Sequence, residues 1–242
     1  MRQKNKSRSV EQISTYELVD AYLEAHSRVI SDGFGEEIDW QDNQNFEEFS
    51  ESEFLRETAW VILSAGMRET VVRAKFDGIS NAFLGWHSAK KIVKDEEQCV
   101  KRALSFFNHR KKIQAISSVA LQVADLGIET LKSRLLLGGV DELQRLPYIG
   151  PVTRYHLAKN LGMDVVKPDR HLIRIAQSAG YSTPQSMCEA IANITGDRLC
   201  TIDVVLWRFA TIEPRYTNWF SSKHREISSM CSTFRQPIGA AA

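Results

Sequence analysis

One aspartate and one turn that contains a glycine and two prolines are the parts of this sequence whose residue types and spacing suit chemistry. Asp169 directly follows Pro168 and directly precedes the apolar-periodic segment RHLIRIAQSAG. A carboxylate at the start of a helix either caps the unpaired amides there, which is worth about 1 kcal/mol, or is a reactive group whose negative charge those amides favour. The residues alone leave both roles open.

The turn lies earlier, in the segment LQRLPYIGPVTRYHLAKNLG. A turn ending at Gly150 and a helix from Pro151 to Gly162 predict a helical hairpin. The first amides of that helix have no partner within it and can bind a phosphate oxygen, with added side-chain contacts from Thr153 and Arg154. A hairpin that only packs the core is an equally good interpretation of this pattern.

Helical periodicity covers most of the chain and predicts an all-α fold of about ten helices. Ser14 and Glu17 form a capping-box pattern for a first helix that ends at Gly33. Apolar spacing predicts further helices over FLRETAWVILSAGMRETVVRAKF from about Phe54, over IETLKSRLLL, and at roughly 79–87, 96–107, 110–125, 184–194 and 197–210. Residues 31–53 hold nine Asp and Glu and no Lys or Arg, and are predicted to be an acidic loop.

Composition is that of a soluble protein, with 43% hydrophobic and 25% charged residues. No apolar run approaches the roughly 20 residues of a membrane span, and no signal peptide is recognisable, so a cytoplasmic location is expected, nucleoid-associated in a bacterium. Four scattered cysteines are expected to be buried thiols: Cys99, Cys188, Cys200 and Cys231. The net charge is +1, so removing the −9 of residues 31–53 leaves +10, which suits a polyanion partner.

The segments LPYIGPVTRYHLAKNLG and VVKPDRHLIRIA together resemble the helix-hairpin-helix, Gly/Pro-rich, aspartate (HhH-GPD) signature of the DNA glycosylase superfamily. That superfamily includes endonuclease III, the alkyladenine glycosylases and the adenine glycosylases. Weaker similarity in AWVILSAGMRETVVRAKF, NHRKKIQAISSVA and IDVVLWRFA extends the resemblance to about residues 55–210. It implies a two-lobed fold with a central cleft. One lobe is 54–140, and the other combines 1–30 with 141–242, including the hairpin 141–162 and Asp169.

The resemblance implies an enzyme that flips a damaged or modified base out of double-stranded DNA and hydrolyses its N-glycosidic bond, as in base excision repair. Asp169 is the implied catalytic residue, which stabilises positive charge at C1′ and orients the attacking water. Bifunctional relatives carry a lysine where this sequence has Val152, so a monofunctional glycosylase that leaves an abasic site is expected. A non-catalytic DNA-binding module, and a lyase that uses another amine such as Lys159 or Lys167, stay open as alternatives.

The resemblance also implies contacts with DNA. The implied DNA-binding residues are Tyr148, Gly150, Val152, Thr153, Arg154 and His171. Gly66 stands where the superfamily has the residue that fills the gap left by the flipped base. The candidates for the base pocket or for that plug are Trp60, Met67, Arg68, Glu69 and Trp86. Core positions are the alternative for the two tryptophans, and the favoured interpretation for Met67 on its own.

The remaining expectations concern the turn residue Tyr148, cofactors, metal binding and the oligomeric state. Tyr148 stands where the superfamily usually has a glycine, at a position where glycine eases an unusual backbone angle. The cysteines are too few and too scattered for an iron–sulfur cluster, and no other cofactor is expected. The metal that the resemblance allows is a monovalent cation bound by the hairpin carbonyls of residues 145–150. A monomer is expected.

Overall fold

The computed structural model describes residues 12–221, and this part of the chain is built from helices, with no β-strand. The predicted all-α fold class is therefore confirmed. The α-helices are α1 (Thr15–Ser31), α2 (Gly35–Asp42), α3 (Glu51–Ser64), α4 (Glu69–Ala82), α5 (Ala89–Lys94), α6 (Glu96–Phe106), α7 (Arg110–Leu126), α8 (Ile128–Gly138), α9 (Val140–Leu143), α10 (Thr153–Asn160), α11 (Arg170–Ser178), α12 (Pro184–Thr195), α13 (Leu199–Ile212) and α14 (Tyr216–Trp219), with a 3-10 turn at Leu84–Trp86. Cys231 lies outside the described residues, as do the chain ends that the prediction assigned to the second lobe. Within the described range, no helix has both the length and the apolar character needed to cross a bilayer.

The helices of residues 12–221 outnumber the roughly ten that periodicity predicts. Gly66, with φ +70°, interrupts the apolar segment that begins near Phe54 and separates α3 from α4. The short helices α5, α9 and α14 have four to six residues each. A hydrophobic period cannot be recognised over so few positions, so periodicity missed α5 and α14.

The chain divides into two compact units. The terminal unit comprises the described parts of Met1–Asp42 and Val166–Ala242, and the middle unit is Asn43–Val165. The prediction assigned the hairpin to the lobe of the chain ends, whereas the structure groups it with the middle unit. The reason is packing, because α10 contacts α3 and α9 and its Leu157 is part of the middle unit's core.

The terminal unit is organised around α1 and α13, which pack against each other. The predicted capping box is present at the start of α1: Ser14 Oγ accepts from the Glu17 amide at 3.3 Å, and the Ser14 amide donates to the Glu17 carboxylate at 3.0 Å. Tyr22 is fully buried in the same helix, and its hydroxyl donates to Asp197 Oδ2 at 2.7 Å. The hydroxyl is the one polar atom of the Tyr22 side chain, and it therefore has a hydrogen-bond partner within the core.

The acidic segment 31–53 is not one loop, which corrects the prediction. It contains α2, and Glu37 in that helix accepts two hydrogen bonds from the guanidinium of Arg208, at 2.8 and 2.6 Å. Arg208 is only 8% exposed, so a carboxylate is needed to pair its charge. Glu37, one of the acidic residues of this segment, is therefore paired with a basic residue of α13, far along the sequence.

The middle unit is centred on α3 and α7. Its core includes Phe54, Ile62 and Ile113, each fully buried. α10 ends in the Schellman arrangement, in which the Gly162 amide donates to the Lys159 carbonyl at 3.0 Å. The predicted stop at Gly162 is therefore confirmed.

The close approach at Gly162 generates a prediction. Gly162 has φ +90°, and a Cβ there would lie 2.5 Å from the Phe46 amide nitrogen and 2.6 Å from the Asn45 carbonyl carbon. Gly33 follows α1 at the same φ of +90°, with no atom within 4 Å of its Cβ position, and is the matched control. Gly33→Ala is expected to cost about 1–2 kcal/mol because of its left-handed backbone. Gly162→Ala is expected to cost about 1–3 kcal/mol more, because the added methyl group meets backbone atoms.

Denaturant unfolding of the two glycine variants measures this difference. Equal losses of stability in Gly33→Ala and Gly162→Ala would show that the backbone of Asn45 and Phe46 does not limit the space at Gly162.

Candidate active site and nucleic-acid interface

Asp169 is the N-cap of α11, which confirms the capping role that the sequence suggests. Its Oδ1 accepts hydrogen bonds from the backbone amides of His171 at 2.8 Å and Leu172 at 3.2 Å. The side chain is 12% exposed, and Oδ2 lies 3.6 Å from Nζ of Lys167. The partial positive charge of these amides lies beside the carboxylate. Asp169 thus combines a fixed orientation with a second oxygen that the cap does not use.

The segment before Asp169 is held by α13. Asp203 is 1% exposed in that helix, and its Oδ2 accepts from the Lys167 amide at 2.6 Å. The Asp169 amide donates to the Lys167 carbonyl at 2.8 Å, and Pro168 between them has a fixed φ. The sequence analysis missed Asp203. Its signal was a lone carboxylate in the apolar run TIDVVLWRFA, since an aspartate is rarely buried without a partner.

His171 follows Asp169 closely and packs against Tyr216, with ring centroids 5.6 Å apart. Arg170 Nε donates to its Nε2 at 3.2 Å, so Nδ1 carries the proton of the neutral ring. Nδ1 and the Tyr216 hydroxyl are both buried, and neither has a hydrogen-bond partner within the described chain. Burial lowers the pKa of His171, while the Asp169 carboxylate acts in the opposite direction. The imidazole is therefore neutral at pH 7.

The hairpin turn is closed by Thr153. Its Oγ1 accepts from the Gly150 amide at 2.7 Å, and the Arg154 amide donates to the Gly150 carbonyl at 3.0 Å. α10 begins at Thr153, two residues later than the predicted start at Pro151. The amides of Val152 and Thr153 donate to no acceptor in residues 12–221. Two N–H groups at the positive end of α10 are thus available to an anion.

The side chain of Arg154 binds within the hairpin. Its Nη1 donates to Gln144 Oε1 at 2.8 Å and lies 2.7 Å from Asp141 Oδ1. The Thr153 hydroxyl is likewise used by the turn. Both side chains therefore shape the hairpin, and a direct contact of either with phosphate stays a prediction.

Tyr148 adopts the backbone conformation of a glycine, with φ +68°. This left-handed conformation costs a residue with a Cβ about 1–2 kcal/mol. The side chain is 43% exposed. Its ring meets the His109 ring edge-on at 6.3 Å, and Nζ of Lys112 lies 5.7 Å from its centroid. The turn thus keeps a glycine-like backbone, and the ring contacts offset part of the strain.

The two tryptophans predicted for the base pocket both lie in the middle unit. Trp86 is 3% exposed, donates from Nε1 to Ser80 Oγ at 3.0 Å and stacks on Phe83 at 5.1 Å. It occupies a core position in this structure. Trp60 is partly buried, and the guanidinium of Arg73 lies 5.5 Å from its ring centroid. Trp60 is therefore the less buried of the two tryptophans.

The residues predicted to plug the duplex lie in and after the loop between α3 and α4. Met67 is 40% exposed, so the core position favoured for it is wrong. The break at Gly66 explains the error, because a continuous helix would have continued the apolar face. Arg68 is exposed in the same loop, and Glu69 accepts from Arg73 Nε at 3.2 Å in the first turn of α4.

Among the described residues, no group of three His, Cys, Asp or Glu side chains is placed to hold a metal ion. Cys99, Cys188 and Cys200 are buried thiols outside any disulfide of the described residues, as predicted. In the hairpin, the Leu146 and Gly150 carbonyls already accept backbone hydrogen bonds. A monovalent cation bound by the carbonyls of residues 145–150 stays a prediction.

Comparisons of this chain with protein-family models, with curated proteins and with solved structures give no match.

Tyr148 gives a prediction that separates backbone strain from ring contacts. Tyr148→Ala and Tyr148→Gly both remove the ring, but only glycine relieves the cost of φ +68°. The glycine variant is therefore expected to be about 1 kcal/mol more stable than the alanine variant. Thermal or denaturant unfolding measures the difference, and an alanine variant as stable as the glycine variant would refute the strain.

His171 gives a second prediction, about proton binding. Its pKa is lowered from 6.5 by burial, and Asp169 raises it, so Asp169→Asn should lower it further. NMR titration of the imidazole resonances measures the midpoint, with Asp164→Asn, at an exposed position, as the control that leaves it unchanged. An unshifted midpoint in Asp169→Asn would contradict an ionised Asp169.

Because the folded-state pKa lies below the unfolded-state value, His171 reduces stability as the pH falls below 6.5.

Proposed function

We propose that this protein is a monofunctional DNA glycosylase, which flips a damaged or modified base and hydrolyses its N-glycosidic bond to leave an abasic site. The observation that carries the proposal is the geometry of Asp169: one carboxylate oxygen is bound by the amides of α11, and the other is not used by the cap. The resemblance of the segments around Asp169 and the hairpin to the HhH-GPD superfamily supports the same function. The superfamily's two-lobed fold is part of the proposal.

The proposed chemistry follows from the position of the negative charge. Cleavage of a glycosidic bond develops positive charge at C1′ of the sugar, and a preorganised carboxylate stabilises that charge. Oδ2 of Asp169 also suits the orientation and deprotonation of the attacking water. The low solvent exposure of Asp169 strengthens both interactions. The hydrogen bonds that the backbone amides donate to Oδ1 keep the carboxylate from rotating.

The proposed DNA grip uses the backbone of the hairpin. The unpaired amides of Val152 and Thr153 suit a phosphate oxygen, and such a contact fixes position without reading sequence. The Val152 side chain is aliphatic and 40% exposed, so it offers no nucleophile at the place where bifunctional relatives have a lysine. Water is therefore the proposed nucleophile. The proposed partner is double-stranded DNA, bound by a monomer without an iron–sulfur cluster or other cofactor.

A second candidate function, a glycosylase with lyase activity, is favoured by one contact. Nζ of Lys167 lies 3.6 Å from Oδ2 of Asp169, so an amine accompanies the carboxylate. A deprotonated lysine can attack C1′ and displace the base, which leaves with a proton. The C1′–O4′ bond of the sugar then opens to give a Schiff base, from which loss of a C2′ proton expels the 3′ phosphate. Asp169 is then the group placed to receive the proton of the amine. Lys159, the other amine considered from the sequence, is 6% exposed in α10.

Asp169→Asn is the sharpest test of the proposed function, because asparagine caps a helix about as well as aspartate but carries no charge. We expect base release to fall by about 10²–10⁴-fold, the usual contribution of a general acid or base. The assay uses duplexes that carry alkylated, deaminated, oxidised or hypermodified bases. Asp164→Asn makes the same change at an exposed position of the same connecting segment and is expected to keep wild-type rates.

The outcomes separate the candidates. Base release by the wild type, with strand cleavage only after alkali, supports the monofunctional enzyme. Strand cleavage without alkali, together with borohydride trapping that Lys167→Arg abolishes, supports the lyase. Duplex binding without release of any base in the panel would overturn both and leave a DNA-binding module.

A further inference from the structure

Lys112 is a buried amine in α7 that the proposed chemistry does not use. The residue is 2% exposed, and its Nζ donates to the carbonyl oxygens of Leu63 and Ala65, each at 2.6 Å. These carbonyls lie at the C-terminal end of α3, where the helix dipole favours a cation. Burial lowers the pKa of Lys112 to about 8, so the amine is charged at neutral pH.

The same amine reaches the hairpin turn. Nζ lies 5.7 Å from the ring centroid of Tyr148, within the range of a cation–π contact. An ammonium has three donors: two are used by the carbonyls of Leu63 and Ala65, and the ring takes the remaining interaction. One charge therefore connects the end of α3 to the turn that precedes α10.

The two segments that Lys112 connects each expose a large side chain. Met67 follows Ala65 in the loop between α3 and α4 and is 40% exposed, and Tyr148 is 43% exposed. The Met67 amide donates to the Ser64 carbonyl at 3.0 Å, so the loop turns tightly and Met67 stays close to the α3 carbonyls. Proteins that unstack bases insert apolar side chains between them, and a flexible methionine and an aromatic ring both suit that task.

We propose that the Lys112 ammonium is a positioning residue that joins the Ala65–Met67 loop to the hairpin turn, so that Met67 and Tyr148 enter a DNA duplex together and fill the gap left by a flipped base. The inference rests on the proposed function, because it assigns the plug of the same reaction. It selects Met67 over its neighbours in the loop. Glu69 is engaged by Arg73, and Arg68 carries a charge, whereas Met67 has the apolar side chain that insertion between bases favours.

The test uses a duplex that carries a tetrahydrofuran abasic analogue beside a 2-aminopurine, whose fluorescence rises when it is unstacked. No base has to be released, so the result is independent of whether Asp169 is catalytic. Lys112→Met keeps a long apolar side chain and removes the three donors. Val119→Ala, which truncates a 1% exposed residue of the same helix, is the control for general loss of stability.

With wild-type protein at saturation we expect a rise in fluorescence. Lys112→Met should bind about ten-fold more weakly, because side chains that Lys112 no longer positions must be ordered on binding, and should give a reduced signal even when saturated. Val119→Ala should give the wild-type signal at saturation, because destabilisation alone reduces the amount of folded protein and not the geometry of the bound complex.

Two exposed substitutions keep the test decisive if Lys112→Met folds poorly. Met67→Ala and Tyr148→Ala should each lower the saturating fluorescence, and the double variant should lose little more than the stronger single one, because the two side chains act together. A wild-type signal in Lys112→Met, or in both exposed variants, would overturn the inference. Base release without any rise in 2-aminopurine fluorescence would overturn it too, while leaving the proposed function intact.

Discussion

The binding of Asp169 Oδ1 by the first amides of α11 is the interaction on which the candidate site depends. Every α-helix begins with amides that have no partner within the helix, and here one carboxylate oxygen accepts from the amides of His171 and Leu172. The contact stabilises the helix and at the same time sets the direction of Oδ2. The buried Asp203 fixes the backbone before it through the Lys167 amide. The geometry that caps the helix is thus the same one on which the proposed catalytic role of Asp169 depends.

α10 and α11 each begin with amides that have no partner within the helix, and the two helices differ in what binds these amides. α11 has its own anion at the cap, so its N-terminus is already neutralised. α10 has Val152 at the cap, with no side-chain hydrogen bond to its amides. Its partial positive charge is left for an anion from outside. The proposed function needs a fixed carboxylate at one helix start and a phosphate site at another, and the aspartate at one cap and the aliphatic residue at the other suit these two needs.

Local rules account for what the sequence predicts correctly. The Ser14 capping box, the Asp169 cap and the stop at Gly162 each involve residues no more than five positions apart, so their types and spacing are sufficient. The bond between Lys167 and Asp203 spans 36 positions. Nothing in the spacing of the residues pairs such partners, because burial decides them and burial depends on the fold. The exposure of Met67 was missed for a related reason, since a periodic pattern cannot show where the chain turns.

The presence of Tyr148, at a position where the superfamily usually has a glycine, and the burial of Lys112 explain each other. A glycine at position 148 would adopt the left-handed backbone without strain, yet it would leave the ammonium with two carbonyls and no third contact. A tyrosine there is strained, with φ +68°, but its ring meets the charge of Lys112 at 5.7 Å. Removing either residue alone therefore leaves a cost behind, either a buried donor without its partner or a strained turn without its compensation. The contributions of Tyr148 and Lys112 to stability are therefore expected to be coupled.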